Sequence, residues 1–221
     1  MKEKIRILFL ANTSWYLYNF KGHLLNSINR SEYEILLVAP YDSYTLSLKE
    51  LGFNTIHWDL NRSSLNPISS IYSIIKLYFI YRKFKPSIVH HFTIKPCIYG
   101  SIVARLTIVK TVINAFTGLG PCMFLSQKKY SLMGVLFVYI YRFILSTKGS
   151  IPVCQNKSDL YELQKISKNK LSNALIIPGS GVDTNYFKRG ESKLIFNDPP
   201  KILFPARLIK EKGYSELINA C

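Results

Sequence analysis

A chain of 221 residues with 48% apolar side chains is long enough to bury a core and too apolar to be disordered. Its four cysteines (Cys97, Cys122, Cys154, Cys221) form neither a CxxC pair nor a metal-ligand spacing, which excludes a disulfide scaffold or a zinc module. The net charge of +16 is concentrated: residues 61–150 carry twelve Lys/Arg and no Asp/Glu, against six of each in 1–60 and eleven against seven in 151–221.

Ile5 to Ala11 (IRILFLA) is a continuous apolar run with polar residues on both sides, and no signal sequence is expected ahead of it. Such a run suits a parallel strand buried on both faces. Asn12-Thr13-Ser14-Trp15 follows, then a helical pattern from about Phe20 to Ile28. Tyr33 to Ala39 gives a second strand, Ser43 to Leu51 a helix closed by Gly52, and Thr55 to Trp58 a short third strand. Asn66-Pro67 opens a long helix, because a proline in the first turn lacks only an N–H that would have had no partner. Ile88 to His91 reads as strand four, Pro96 to Leu106 as a helix, and Thr111 to Asn114 as strand five. The glycine-bearing loop Thr117-Gly118-Leu119-Gly120 leads to a second basic helix. Strand six is Ile151 to Cys154, Asn156 with Asp159 caps a short helix, and strand seven is Ala174 to Ile177.

Strands alternating with helices in this way specify the α/β class, as a doubly wound parallel Rossmann-like sheet with right-handed crossovers. From Phe187 to Pro200 the sequence loses its period and reads as a linker. Lys201-Ile202-Leu203-Phe204 then reads as a strand ended by Pro205, and Tyr214 to Cys221 as a helix. The expected organisation is a first domain over 1–187, a linker over 188–200 and the start of a second domain over 201–221.

Two runs in the acid-free block, IYSIIKLYFIYRKFK (71–85) and YSLMGVLFVYIYRFILS (130–146), interleave aromatic and aliphatic residues with cations. Lys76 and Arg142 keep either from reaching the roughly 20 apolar residues a membrane span needs. The composition suits a surface lying on anionic lipid, with Arg82, Lys83, Lys85, Lys128 and Lys129 as the basic patch. It also suits a nucleic acid, or two core helices whose charges reach out to water.

Ligands of open α/β sheets bind beyond the carboxyl ends of the strands, so the candidate residues are those at these ends. They are Asn12 and Asn19 after strand one, His91 and Lys95 after strand four, Thr117, Gly118 and Gly120 after strand five, and Gly181 after strand seven. Alternation sends one of His90 and His91 into the packing of the sheet and the other toward a face or the cleft. Lys95 stands at a helix start, where a cation is unfavourable unless an anion joins it. In the last unit Arg207 and Lys212 flank a helix amino terminus, a pocket suited to a diphosphate, although a solvated turn fits the same residues. There is no paired-carboxylate, HExxH, GxSxG, Walker or GxGxxG pattern, which argues against hydrolase, kinase and dinucleotide-binding readings.

The stretch ARLIKEKG (206–213) after an apolar run resembles the signature of the retaining glycosyltransferases of the GT-B fold, family 4. In that family an Arg and a Lys at this spacing hold the diphosphate of a sugar nucleotide. Pro178-Gly179-Ser180-Gly181-Val182-Asp183, followed by Phe187, resembles the segment ahead of the interdomain linker. NTSWYLYNF (12–20), RSSLNP (62–67), HHFTIKPCIYGSIVAR (90–105), TGLG (117–120) and QNKSD (155–159) resemble the bacterial branch that extends polyprenyl-diphosphate-linked saccharides. The resemblance covers essentially the whole chain.

It implies transfer with retention of a sugar, often an N-acetylhexosamine, from a nucleotide-sugar, often UDP-linked. No cofactor or metal is implied. The implied setting is synthesis of O-antigen, capsule or glycoprotein glycans, by a cytoplasmic protein peripheral on the inner face of the bacterial plasma membrane. The first domain would hold the acceptor and the second most of the donor. Two departures matter. Thr117 stands where many relatives have a histidine that contacts the transferred sugar, so no catalytic base is assigned. The family's later pair of glutamates falls beyond Cys221, so the chain reads as truncated and inactive by itself. A non-catalytic lipid-acceptor-binding domain is the alternative. A basic nucleic-acid binder is a third reading, without a recognised nucleic-acid module to support it.

Overall fold

Parallel pairing of short apolar strands dominates the computed structural model, which describes residues 3–61, 66–107, 109–119, 132–168, 171–188, 201–206 and 212–220. The strands are β1 (Ile5–Leu10), β2 (Tyr33–Ala39), β3 (Asn54–His57), β4 (Ile88–Phe92), β5 (Thr111–Phe116), β6 (Ser150–Cys154) and β7 (Leu175–Ile176). They alternate with helices α1 (Ser14–Ser27), α2 (Tyr44–Glu50), α3 (Pro67–Phe84), α4 (Ile94–Leu106), α5 (Leu132–Leu145) and α6 (Lys157–Ile166). One sheet results, in the order β3-β2-β1-β4-β5-β6-β7, with every pair parallel. The doubly wound α/β class read from the sequence is the class observed.

Strand alternation splits the core into two layers. Ile7, Phe9 and Ala11 of the first strand and its exit pack with Leu17 and Leu25 of α1 and Leu48 of α2. Leu8 and Leu10 pack on the other face with Leu77 and Tyr81 of α3 and Val103 of α4. A third cluster, Phe116, Tyr141, Ile144, Cys154 and Leu163, closes the sheet where α5 and α6 cover β5 and β6.

Helix starts follow local chemistry. Thr13 accepts the Tyr16 amide at 3.0 Å, so α1 begins at Ser14, ahead of the Phe20 start expected from periodicity. Asn66 caps α3 ahead of Pro67, and Asn156 accepts the Asp159 amide at 2.7 Å to open α6, both as the sequence suggests.

The chain divides into two units, Met1–Val182 and Asp183–Cys221. The second unit is described for only part of its length and contains helix α7 (Tyr214–Ala220). Asp183 there accepts the Asn185 and Tyr186 amides at 2.8 and 3.2 Å, a local turn cap. The strand expected over 201–204 is not formed. A strand exists only with a neighbour to bond to, and among the described residues none pairs with this stretch, whose Leu203 is 86% exposed.

One polar network is sealed inside the first unit. His91 is wholly buried, accepting the Tyr81 hydroxyl on Nε2 at 2.7 Å and donating from Nδ1 to the Asn114 carbonyl oxygen at 2.8 Å. Asn114 in turn donates to Ser101 Oγ at 3.0 Å. His91 was expected at the cleft. It is a core residue instead, because β4 turns this position toward α3 and α4, where Tyr81 and Gly100 make room for the ring.

Gly100→Ala would place a Cβ 2.5 Å from His91 Nε2. The expected cost is about 3 kcal/mol, from overpacking and a disturbed buried bond, read as a lower urea midpoint. Burial also pushes the His91 imidazole down from 6.5 to about 4, against a smaller upward pull from Asn114. The unfolded chain therefore takes up the proton first. Stability is complete above about pH 6.5 and falls as the pH drops toward 4, by up to about 1.4 kcal/mol per pH unit. In urea melts at pH 7 and pH 4.5, His91 should account for about 2 kcal/mol of the loss at the lower pH, and buried His90, lowered to about 3, for at least as much again.

Candidate functional site

The chain leaves β1 toward β2 on one side and leaves β4 toward β5 on the other, so the strand order reverses between β1 and β4. At such a switch point no crossover covers the carboxyl ends, and a crevice opens. A hollow of about 360 Å³ lies there, lined by Asn12, Leu60, Thr93, Ile94, Lys95, Thr117 and Gly118. Four of the expected cleft residues, Asn12, Lys95, Thr117 and Gly118, therefore meet in one place.

Thr93 is the unusual member. Its φ of 71° and ψ of 165° put a β-branched residue in backbone space that is essentially reserved for glycine. The conformation is imposed from both sides: the Thr93 amide donates to Ala115 O at 3.3 Å, and its carbonyl accepts the Cys97 amide at 3.0 Å. The Thr93 hydroxyl is buried, has no hydrogen-bond partner among the described residues, and does not cap α4. Lys95, in the first turn of α4, donates to the Asn61 carbonyl at 2.7 Å, and partial burial lowers its pKa.

Thr117 also borders a second groove, of about 450 Å³. Phe20 and Lys21 of α1, His90 and Phe92 of β4, and the loop from Ile177 to Gly181 form its walls. Gly181, expected at the cleft, lines this groove rather than the first hollow. His90 packs on Phe92 with ring centres 4.1 Å apart. Burial first, then the neighbouring His91 and Lys21, push its pKa down to about 3, so it is a neutral imidazole. Lys21 donates to Ser180 Oγ at 3.0 Å and sits 4.9 Å from the Phe92 ring centre.

Other expected residues lie elsewhere. Asn19 is on the exposed side of α1, bonded to the Trp15 carbonyl at 3.0 Å, and lines neither hollow. Lys212 is exposed just ahead of α7 in the second unit. Gly120, Lys128, Lys129 and Arg207 lie outside the described residues. Arg82 and Lys83 end α3, and Lys85 closes it in the left-handed region at φ 52°. All three are exposed.

The outward face of α3 is apolar. Ile68, Ile71, Tyr72, Ile75 and Phe79 recur at helical spacing and are 50–76% exposed, while Ser73, Leu77, Ile80 and Tyr81 face the core. Val135, Leu136, Tyr139 and Phe143 of α5 are also exposed. Among the described residues no helix is long and apolar enough to cross a membrane, and no three His, Cys, Asp or Glu side chains gather as metal ligands.

Sequence reasoning overlooked Thr93 and Lys21, and of the two adjacent histidines it put His91 rather than His90 at the cleft. A backbone conformation leaves no composition signal, so Thr93 was hidden. Lys21 was visible in principle, since Ser14, Leu17, Lys21, Leu25 and Ile28 form a single helical stripe. Starting the helix at Phe20 broke that stripe.

Comparison with known proteins gives a consistent picture. Residues 6–156 match the family model described as "Glycosyl transferase 4-like". The chain is 23% identical over 229 aligned positions to the N,N'-diacetylbacillosaminyl-diphospho-undecaprenol alpha-1,3-N-acetylgalactosaminyltransferase of Campylobacter jejuni, covering 98% of this chain and 60% of that one. Among solved structures it is similar to Anabaena HepE in complex with UDP and glucose (11% identity, 85% of this chain and 47% of that one, TM-score 0.58). It is also similar to a glycosyltransferase from Rickettsia africae (14% identity, 84% and 45%, TM-score 0.53). These structural likenesses show the fold, and the chain spans 60% of the curated relative's length.

Releasing the strain at Thr93 should be visible in stability. Thr93→Gly loses no capping bond and relieves a conformation costing about 1–3 kcal/mol, against about 0.5–1 kcal/mol for glycine's greater unfolded-state freedom. The expected result is a rise of about 1 kcal/mol in unfolding free energy, measured by urea titration. Thr93→Ser, which keeps both the unpaired hydroxyl and a Cβ in the strained conformation, should not stabilise.

Proposed function

Because the chain belongs to the glycosyl transferase 4-like family, we propose that it handles the acceptor in moving a sugar from a nucleotide-sugar to a polyprenyl-diphosphate-linked saccharide. The observation that carries the reading is the switch-point hollow, in which the strained Thr93 and the cation of Lys95 stand beside Asn12, Thr117 and Gly118. Strain held at a ligand crevice is the usual mark of a working site. The Campylobacter relative named for transfer to a diphospho-undecaprenol acceptor supports the same substrate class. In this reading Arg207 and Lys212 hold the donor's diphosphate, an N-acetylhexosamine is the transferred sugar, UDP is its carrier, and the anomeric configuration is retained. The reaction runs without a metal, with the two cations balancing the leaving diphosphate.

The site of action in this reading is an anionic membrane surface, where the lipid-linked acceptor resides. Support comes from α3, whose outward apolar stripe ends in Arg82, Lys83 and Lys85, and from a net charge of +16. Apolar residues beside cations suit the interface of an anionic bilayer.

Two measurements test this. A protein spanning the whole length of the Campylobacter relative, given UDP-[³H]N-acetylhexosamine and an undecaprenyl-diphosphate-linked saccharide, should place label in the organic-soluble fraction equally well with or without EDTA. The 221-residue chain should bind that acceptor. No lipid-linked label with any UDP-N-acetylhexosamine would overturn the transfer reading. For the membrane, replacing Arg82, Lys83 and Lys85 together by Gln should weaken cosedimentation with phosphatidylglycerol vesicles on the order of a hundredfold at low salt, at about 1 kcal/mol per cation. Unchanged cosedimentation would remove the membrane assignment.

A further inference from the structure

Lys21 occupies a position that packing alone would give to an aliphatic residue. Leu17 and Leu25, one turn to either side on the same stripe of α1, are fully buried, and Lys21 itself is half-buried between them. Among the described residues it pairs with no carboxylate. It donates to Ser180 Oγ at 3.0 Å, lies 4.9 and 5.7 Å from the ring centres of Phe92 and Tyr16, and is close enough to His90 to lower that imidazole's pKa. Among the described residues, the lining of the groove in front of it includes no Asp or Glu. A cation drawn out of water against aromatic rings, with a neutral hydroxyl and no carboxylate beside it among the described residues, is undercompensated. Desolvation lowers its pKa accordingly.

The rest of the groove suits a particular anion. Phe20 and Phe92 offer flat apolar walls of the kind that pack on a sugar ring, while Thr117 and Gln155 offer hydrogen bonds. Gly179 and Gly181, both at positive φ, bracket Ser180, and the space where each would carry a side chain is open. Thr117 joins this groove to the switch-point hollow. We propose that the Lys21 groove binds the diphosphate of a sugar-linked diphosphate, with Lys21 and Ser180 as its ligands. This rests on the glycosyl-transfer reading and adds to it: the lipid-linked acceptor is the source of that diphosphate, its saccharide running on past Thr117 into the hollow beside Lys95.

Titration calorimetry on the 221-residue chain tests this with three probes: inorganic pyrophosphate, farnesyl-diphosphate-linked N-acetylglucosamine and UDP-N-acetylglucosamine. Pyrophosphate and the farnesyl-linked sugar should bind the wild type, and Lys21→Gln should weaken both at least tenfold. Lys21→Arg should bind within about threefold of wild type, and Ser180→Ala should lose a few-fold. Urea midpoints check folding, and Lys21→Gln should be at least as stable as wild type because it removes a desolvated charge. Wild-type affinity retained in folded Lys21→Gln, or no binding of any probe by folded wild type, overturns the proposal. Lys21-dependent binding of pyrophosphate without the farnesyl-linked sugar keeps the anion site and removes the acceptor. Lys21-dependent binding of UDP-N-acetylglucosamine alone reassigns the groove to the donor and overturns the acceptor assignment. Tight acceptor binding indifferent to Lys21 sinks this site while leaving the transfer reading standing.

Discussion

Everything at the candidate site depends on β1 and β4 lying side by side in parallel while the chain departs from them in opposite directions. Leu8 of β1 pairs with Val89 of β4, and Leu10 with His91, which fixes where each strand stops and therefore which residues emerge at its tip. Asn12 and Thr93 are delivered together by that register alone. A slip of one residue would turn His91 to the α1 side and His90 into the α3/α4 layer, where Gly100 leaves room for a single imidazole. The buried His91–Asn114 hydrogen bond adds a side-chain tie between β4 and β5, away from the crevice.

The fold was legible in the sequence because its signals are additive and local. Runs such as IRILFLA and YEILLVA are buried on both faces, and a parallel sheet demands that pattern, so strands were placed to within a residue or two. Caps at Asn66 and Asn156 were equally plain. The site was half legible. Loop position at the strand tips identified Asn12, Lys95, Thr117 and Gly118, since topology alone sends them to the crevice. It could not tell which of two adjacent histidines faced inward, because alternation supplies a parity and not its sign. Nor could it reveal Thr93, whose importance lies in a torsion angle. The last strand failed for a different reason: an apolar run is necessary for a strand and says nothing of the partner it needs.

Both faces of the first unit carry cations in unusual company. Lys21 stands among aromatic rings on the α1 side, and Arg82 and Lys83 follow an exposed apolar stripe on the α3 side. In each case the charge is next to surface that water solvates poorly, a pairing that costs stability unless something anionic and partly apolar shares the space. Lipid-linked sugar diphosphates have that dual character.

The lopsided distribution of acids has a consequence for how the molecule travels. Glu32, Glu34, Asp42, Glu50 and Asp59 belong to the part of the chain that builds β1 to β3, at one end of the strand order, whereas the stretch supplying α3, α4 and β5 has none. The β1 to β3 end of the sheet is therefore near neutral while the rest is strongly positive, a lopsided distribution of charge. In a field that reaches about 10 Å at 0.1 M salt, such a body is rotated before it is captured, so productive collisions outnumber random ones. Ionic strength then governs the efficiency of arrival separately from the strength of what is held afterwards.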